Sequence, residues 1–299
     1  DVELYVEHLA RRLAGRVLER VRVASPFLLR TVAPPLSSAG GRTILGVRRL
    51  GKRVVLELEG GPFLAVHLMV AGRFHWKDAP HAPVPKKAGL AAFDVPGATL
   101  LLTEASPKKR AALHVVATEA ELSALSRGGI EPLEAGLAAF AAALRSESHT
   151  VKRALTDPRL FSGIGNAYSD EILHAARTSP FALTRKLDDA EVARLHEATR
   201  ATLSSWLARL RAEAGERFPE KVTAFRPDFA VHGRQGKPCP ACGDPVQRLV
   251  YADNEANYCA TCQTGGRLLA DRALSRLLKD DWPRTLEELE ESIAARRAG

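Results

Sequence analysis

The spacing of apolar residues changes along this chain, and the changes divide it into regions with different predicted structure. In residues 1–22 apolar side chains recur every three or four positions, which predicts an amphipathic helix with arginines on its other faces. From 21 to 118, short apolar runs alternate with Gly-Gly, Gly-Pro and Pro-Gly turns, a pattern typical of strands. The predicted strands are Ile44–Val47, Val54–Leu58, Phe63–Val70, Ala91–Val95, Thr99–Leu102 and Leu113–Val116. Their spacing favours a β-sandwich.

A helical pattern replaces the strand pattern between about 119 and 222. The predicted helices include Leu133–Leu144, Asp170–Ala176 and Asp189–Ala212, the last with an acidic capping-type start at Asp188. Residues 226–265 contain all the cysteines, and a charged helical pattern runs from Leu268 to the end. We therefore expect an α+β multidomain protein with domains at 1–118, 119–225 and 226–265 and a helical C-terminal extension at 266–299.

The four cysteines of the chain have the spacing C-x₂-C-x₁₆-C-x₂-C, at Cys239, Cys242, Cys259 and Cys262. Two cysteines three positions apart can direct both thiolates at one ion, and two such pairs on a β-hairpin close a tetrahedral site. Because that site has no open position, we predict one structural Zn²⁺. Two disulfides are the alternative, but they are typical of small secreted domains, and this chain is long, basic and rich in core residues.

The charge of the chain narrows the choice of partner. Lys and Arg number 43 against 35 Asp and Glu, which gives a net charge of +8 and a pI of about 9.5. A basic surface beside a zinc module favours a nucleic acid as partner, although a basic protein with no such partner has the same composition. No apolar run reaches transmembrane length, and we expect a reducing cytoplasm.

A second segment with chemical content is Leu160–Glu171. Gly163 and Gly165 lead into a helix predicted to begin near Asn166. The free N–H groups at a helix start bind a phosphate well, and the Asn166 amide adds a donor. The segment lacks the Gly-Lys-Ser/Thr of a P-loop, and Tyr168 stands where a dinucleotide fingerprint has its third glycine. An ordinary helix–helix turn is the alternative interpretation.

From residue 1 to about 263, these features resemble, in their order, the bacterial formamidopyrimidine-DNA glycosylase and endonuclease VIII family. Gly163–Glu171 matches the family's helix–two-turn–helix signature, and Val231–Arg234 followed by the cysteines matches its zinc finger. Asp1–Glu3, Arg48–Lys52 and His67–Gly72 resemble its amino-terminal segment, its lysine-bearing hairpin and the strand before its lesion-side loop. The resemblance implies an N-terminal β-sandwich with an amphipathic helix, a helix–two-turn–helix domain and a C-terminal zinc-finger hairpin.

The resemblance also implies an activity. In this family an amino-terminal proline attacks the sugar C1′ of a nucleotide flipped out of duplex DNA, and β- then δ-elimination cuts the strand. Lys52 would then assist at the damaged base or in elimination. The implied DNA contacts are Lys152, Asn166, Gly163, Gly165 and Asn254 at phosphates, and Met69 or Val70 with Lys109 and Arg110 in the gap left by the base. Without the resemblance, Lys52 is a solvated hairpin lysine and Met69 a core residue.

Three positions depart from the family's pattern. The sequence starts at Asp1, just past the family's catalytic proline and glutamate, so we expect the nucleophile upstream of Asp1 or a form that lacks it. Asn254 stands where the family usually has a turn arginine, and its amide can donate a hydrogen bond but carries no charge. Arg110 replaces an aromatic wedge, and its guanidinium plane can stack on a base.

Three functions are compatible with this pattern. The expected one is a DNA repair glycosylase with AP lyase activity on double-stranded DNA that contains a damaged base or abasic site, acting as a monomer in the bacterial cytoplasm near the nucleoid. The second is a lyase that acts mainly on abasic or crosslinked DNA. The third is a binding protein that senses damaged DNA without the chemistry. Pro-Glu ahead of Asp1 favours an enzyme, and another sequence there favours the binding protein.

Overall fold

The computed structural model describes residues 1–220, 222, 226–251, 254–269, 285, 288 and 291. The chain forms two compact units, residues 1–127 with 206–224 and residues 128–205 with 225–299. Each unit has its own hydrophobic core. The domain boundaries expected at 118, 225 and 265 stay predictions of where separately folding parts divide.

The first unit begins with helix α1, Val2–Leu13, which buries Leu4, Leu9 and Leu13 in the core. The prediction of a helix over 1–22 is wrong in its second half. Gly15 has a left-handed φ of +78°, which ends the helix, and the chain continues as strands β1 (Val17–Leu18) and β2 (Arg20–Val23).

Seven further strands complete two antiparallel sheets in the first unit. They are β3 (Arg42–Leu50), β4 (Arg53–Leu58), β5 (Phe63–His67), β6 (Gly72–Lys77), β7 (Gly89–Val95), β8 (Ala98–Glu104) and β9 (Ala112–Val116). The sheet orders are β1-β3-β4-β5-β9 and β2-β7-β8-β6. Because inward-facing residues of both sheets share one core, the predicted β-domain is confirmed.

Helix α2, Glu119–Ala124, covers part of the outer face of the five-stranded sheet. Its first turn is capped by the Thr118 hydroxyl, which accepts a hydrogen bond from the Glu121 N–H at 3.2 Å. Leu122 packs against Val55 of β4 and Ala65 of β5 in a small second cluster. Arg53, His67 and His114 lie on the same face of neighbouring strands.

The second unit is mainly helical and ends in a hairpin. Its elements are α3 (Leu137–Arg145), α4 (Val151–Thr156), α5 (Asn166–Ala175), α6 (Asp189–Ala214, which continues into the first unit from Trp206), β10 (Gln247–Tyr251), β11 (Asn254–Tyr258) and α7 (Ala260–Thr264). The third helix starts four residues later than predicted. Helix α5 starts at Asn166, as the two glycines predicted, which is four residues before the range expected from the helical pattern. The start of α6 is a capping box, because Asp188 accepts from the Glu191 N–H at 2.7 Å and Glu191 accepts from the Asp188 N–H at 2.9 Å.

The helical extension predicted at 266–299 lies mostly outside the described residues. At its start, the Leu269 N–H donates to the Tyr258 hydroxyl at 2.7 Å, so residue 269 is attached to strand β11. Among the described helices, none has both the length and the apolar run that crossing a bilayer requires.

Candidate metal centre and nucleic-acid site

The four cysteines converge on one point in the second unit. Their Sγ atoms all lie within 4.8 Å of one another, with 3.4 Å between Cys242 and Cys259 and 3.9 Å between Cys239 and Cys262. A tetrahedron of Zn–S bonds of about 2.3 Å places sulfurs roughly 3.8 Å apart. The thiolates therefore fit one structural Zn²⁺, as the spacing predicted.

A histidine that the sequence did not single out lies next to this metal centre. His174 of helix α5 places Nε2 at 3.2 Å from Cys239 Sγ. Burial, with the charge of Arg177, lowers the pKa of His174. A neutral ring with its proton on Nε2 donates to the thiolate, which is the usual way an outer group orients a metal ligand. His174 thus links helix α5 to the finger.

Replacing one ligand should remove the metal. In Cys242→Ser a hydroxyl replaces a thiolate, and we expect purified protein to lose its equivalent of zinc, measured by elemental analysis, together with binding to duplex DNA. Ala241→Ser adds a hydroxyl one residue away but keeps all four thiolates and the Ala241 N–H that donates to Cys239 Sγ at 3.4 Å, so it should keep both. Zinc-free wild-type protein that still binds duplex would contradict the assignment.

Helix α5 also carries a buried carboxylate that joins three other segments. Asp170 is 0% exposed and accepts a hydrogen bond from Lys152 of helix α4. Its second oxygen lies 2.8 Å from His232 Nδ1 and accepts from Asn257 Nδ2 of strand β11 at 3.2 Å. A buried charge is tolerated only when it is paired and hydrogen-bonded, and Asp170 meets both conditions.

The next residue, Glu171, holds the segment that precedes the finger. Its carboxylate accepts from the backbone N–H groups of Ala230 at 2.6 Å, and of Val231 and His232 at 2.9 Å. Burial raises the pKa of Glu171, although the three N–H donors lower it in part. These three N–H groups lie outside any helix or strand and so have no partner in regular secondary structure. One side chain therefore satisfies all three.

The structure places Lys152 in the interior rather than at the surface. Its side chain is 2% exposed, and Nζ donates to Asp170, to Ser169 Oγ at 3.0 Å and to the Asn166 carbonyl at 3.3 Å. Burial lowers the pKa of Lys152, against the attraction of Asp170. Lys152 therefore holds the first turn of α5, and its direct contact with a phosphate stays a prediction.

The two roles of Lys152 predict different results. Lys152→Ala leaves Asp170 buried without its cation, so we expect the free energy of unfolding in urea to fall by roughly 3–5 kcal/mol. The exposed Lys186, changed to Ala in the same unit, should alter it by less than about 0.5 kcal/mol. Unchanged stability with a salt slope of DNA binding flattened by about one unit would instead identify a phosphate contact.

The turn before helix α5 has the geometry expected of an anion site. Gly163 is exposed with a left-handed φ of +82°, and Gly165 is the N-cap without a side-chain cap. The first N–H groups of an α-helix have no acceptor within the helix, and here Asn166 stands at the first position. Phosphate binding at Gly163, Gly165 and Asn166 stays a prediction that this geometry favours.

In the first unit, one arginine ties the amino-terminal helix to the hairpin that carries Lys52. Arg49 Nε donates to Glu3 Oε2 at 2.8 Å, and its Nη1 donates to the Gly51 carbonyl at 3.0 Å. Lys52 follows in the turn between β3 and β4, where burial lowers the pKa of its ammonium. Its amine is therefore more readily neutral, as a nucleophile or base requires.

The loop after strand β5 projects its apolar residues into solvent. Met69 is 45% exposed and Val70 72%, so interpreting Met69 as a core residue is wrong. Met69 has a left-handed φ of 54°, and its N–H donates to His67 Nδ1 at 2.9 Å. This backbone bond fixes a conformation in which both side chains are available to fill a gap.

The loop between β8 and β9 is organised by a buried carboxylate. Glu104 accepts from the N–H groups of Arg110 at 2.8 Å and Ala111 at 3.0 Å, and the Lys109 ammonium donates to the Glu104 carbonyl. The Arg110 side chain is exposed, whereas Lys109 is partly used in closing the loop. Asn254 opens strand β11 opposite Tyr251, and residues 252–253 of its turn lie outside the described residues.

Comparison with protein families gives three matches in chain order. The formamidopyrimidine-DNA glycosylase N-terminal domain matches residues 1–109, and the formamidopyrimidine-DNA glycosylase H2TH domain matches residues 129–213. The zinc finger found in FPG and IleRS matches residues 236–265. Together the three matches span most of the chain and include the metal centre.

Individual proteins agree with the family matches. A formamidopyrimidine-DNA glycosylase of Thermus thermophilus is 35% identical over 274 residues, 89% of this chain and 98% of the relative. The crystal structure of MutM (Fpg) from Thermus thermophilus has a TM-score of 0.73 at 34% identity, covering 88% of this chain and 97% of that one. A Lactococcus lactis Fpg solved with Fapy-dG-containing DNA has a TM-score of 0.77 at 22% identity over 88% and 98% of the two chains, a likeness of fold.

Proposed function

Because the chain belongs to the formamidopyrimidine-DNA glycosylase family, we propose that it is a DNA repair glycosylase that excises damaged bases from duplex DNA and acts on abasic sites. The observation that carries this proposal is the hairpin with Lys52. Arg49 ties it to helix α1 through Glu3, and burial lowers the pKa of the Lys52 amine. The arrangement holds the amino-terminal helix and a poised amine on the same part of the β-domain.

The reaction begins with extrusion of the damaged nucleotide, because a stacked base is out of reach of a nucleophile. The exposed Met69, Val70 and Arg110 fill the gap left in the duplex. The turn from Gly163 to Asn166 binds a flanking phosphate through its N–H groups. Met69, Val70, Arg110 and Gly163 are each exposed in the unit that carries them.

The lyase step follows from amine chemistry. A neutral amine ahead of Asp1 attacks C1′, and the base leaves with the bonding electrons. The C1′–O4′ bond of the sugar then opens, O4′ takes a proton, and an iminium ion joins the amine to the sugar. Removal of a C2′ proton expels the 3′ phosphate in β-elimination, and a second elimination expels the 5′ phosphate. Lys52 transfers protons at the base or in these eliminations. Asn254, an uncharged amide in the finger turn, favours the first elimination over the second.

The partner is double-stranded DNA bound by one copy of the chain. A basic protein of net charge +8 with a zinc finger suits the bacterial cytoplasm at the nucleoid. A lyase that acts mainly on abasic or crosslinked DNA is the second candidate, since Arg110 and Asn254 replace an aromatic wedge and an arginine in the lesion-contacting loops.

Base release and strand cleavage separate these candidates. Duplexes that carry one oxidised purine, one abasic site or no lesion are incubated with the protein, with and without later alkali. A glycosylase should release the damaged base and leave the undamaged duplex intact. Cleavage of the abasic duplex without base release from any oxidised base would identify the lyase, and neither reaction would identify a binding protein.

Borohydride trapping tests the nucleophile. A protein that starts at Asp1 has a primary α-amine beside a carboxylate that favours its protonated form, so we expect binding to abasic duplex without a trapped adduct. The same protein preceded by Pro-Glu-Leu-Pro should give a covalent adduct, measured by gel shift of labelled DNA. Lys52→Ala is run in both backgrounds, with the exposed Lys87→Ala as the matched lysine control.

Two results would change the assignment. An adduct formed by the Asp1 form that disappears in Lys52→Ala but not in Lys87→Ala would make Lys52 the nucleophile. An extended form that binds the duplex but yields no adduct would favour the binding protein over the enzyme.

A further inference from the structure

The outer face of the five-stranded sheet carries a group of basic side chains beyond the part that helix α2 covers. Arg53 of β4 stands directly opposite His67 of β5. His114 of β9 stands opposite Ala65, two residues from His67 along the neighbouring strand, so it is the diagonal neighbour of His67 on the same face. Three adjacent strands therefore each place a nitrogen-bearing side chain on this surface. Burial lowers the pKa of His67 to about 4 and also lowers that of His114, so the arginines supply the positive charge.

Two more arginines flank these strands. The Arg30 N–H donates to the Leu113 carbonyl at 2.9 Å, which places residue 30 along the free edge of β9, next to His114. Arg127 follows helix α2, the helix that packs on this face. Both arginines are exposed, so their guanidinium groups are accessible to a ligand.

These arginines have no carboxylate partner among the described residues. By contrast, Arg48 on the same face pairs with Glu57 and Glu119. Burial, with the charge of Arg127, lowers the pKa of Arg53. Burial, followed by the charges of Arg53 and Arg30, lowers the pKa of His114. The charges that shift the pKa values of Arg53 and His114 are thus all positive.

Hydrogen bonding shows the same imbalance. Arg53 Nε and His114 Nδ1 are both inaccessible to solvent and have no hydrogen-bond partner within the described part of the chain. Arginines that serve only solubility keep their heads in water or pair with acidic neighbours, as Arg48 does. Like charges gathered without counter-charges destabilise the free protein, and such an arrangement is typical of a surface that binds an anion.

We propose that Arg30, Arg53 and Arg127 form an oxyanion site around His114 that takes a phosphate of the DNA backbone. Each guanidinium group can donate two parallel hydrogen bonds to the oxygens of a phosphate. A small carboxylate has too few oxygens to need three arginines. Arg53 follows Lys52 in the chain, so the phosphate that this site takes belongs to the same duplex that Lys52 acts on. The inference rests on the proposed function, because it presupposes a bound duplex.

Salt dependence of binding measures the contact. The protein is titrated with a duplex that contains a tetrahydrofuran abasic-site analogue. The titration is repeated at salt concentrations from about 50 to about 300 mM, roughly the range over which phosphate contacts are lost. The double variant Arg30→Gln with Arg53→Gln should bind more weakly and flatten the slope of log K against log salt by about one to two units. Its melting temperature should not fall, since the change relieves repulsion.

The matched control is Arg20→Gln. Arg20 has the same charge, is exposed and pairs with Asp94 on the other sheet, and Asp94 keeps Arg22 in the variant. The control should leave the slope unchanged. Arg53→Lys keeps the positive charge but removes the planar pair of donors. Its salt slope should therefore match that of the wild type, whereas its affinity for the duplex should reach only part of the wild-type value.

Each other outcome overturns the proposal. A double variant whose slope equals that of Arg20→Gln shows that these arginines touch no DNA phosphate. Binding of inorganic phosphate by the free protein, lost in the double variant while the DNA slope is unchanged, shows that the site takes a free anion. Wild-type protein that binds no duplex at any salt overturns the proposed function as well, whereas the first two results leave that function intact.

Discussion

The second unit depends on two adjacent carboxylates buried on helix α5. Asp170 joins Lys152 of α4, His232 of the segment before the finger and Asn257 of strand β11, while Glu171 binds three backbone N–H groups of that segment. Burial of both carboxylates is tolerated because these partners pair with them or donate hydrogen bonds to them. The finger and the helix are therefore one cooperative structure.

Through this arrangement, the structural metal helps to position the turn from Gly163 to Asn166, although that turn contains no metal ligand. Zinc fixes the finger hairpin, and the hairpin delivers Asn257 to Asp170. Asp170 in turn holds Lys152, whose ammonium donates to the Asn166 carbonyl in the first turn of helix α5. His174 makes a second link, from the same helix to a cysteine of the metal centre. The turn from Gly163 to Asn166 is thus held in place by buried side chains behind it.

The sequence predicted the parts whose signals are local. The spacing of the cysteines along the chain predicts the metal centre, and the capping residue Asp188 predicts the start of helix α6. The helix predicted over 1–22 failed at Gly15, because a helical apolar spacing persists through a short β segment. Strand β6 was missed because Arg73 and His75 alternate with its apolar residues and no long apolar run marks it.

The candidate site was less predictable because its roles come from contacts distant in sequence. From the sequence, Lys152 is a suitable surface ligand for a phosphate. Only its burial and its ion pair with Asp170 in the folded protein show that it lies in the interior. Arg49 lies within a motif but gains its role from Glu3, 46 positions away. The cluster around His114 forms only when strand register places Arg53 and Arg30 beside it, and no pattern along the chain contains that information.

Amide hydrogen exchange with and without zinc tests the dependence of helix α5 on the finger most directly. The expected result is that chelation speeds exchange at Ala230, Val231 and His232 and in the first turn of α5, while strand β4 of the other unit keeps its protection. If exchange rises only between Cys239 and Cys262 and the residues bound by Glu171 stay protected, the finger and helix α5 are independent, and the metal has no part in positioning the turn.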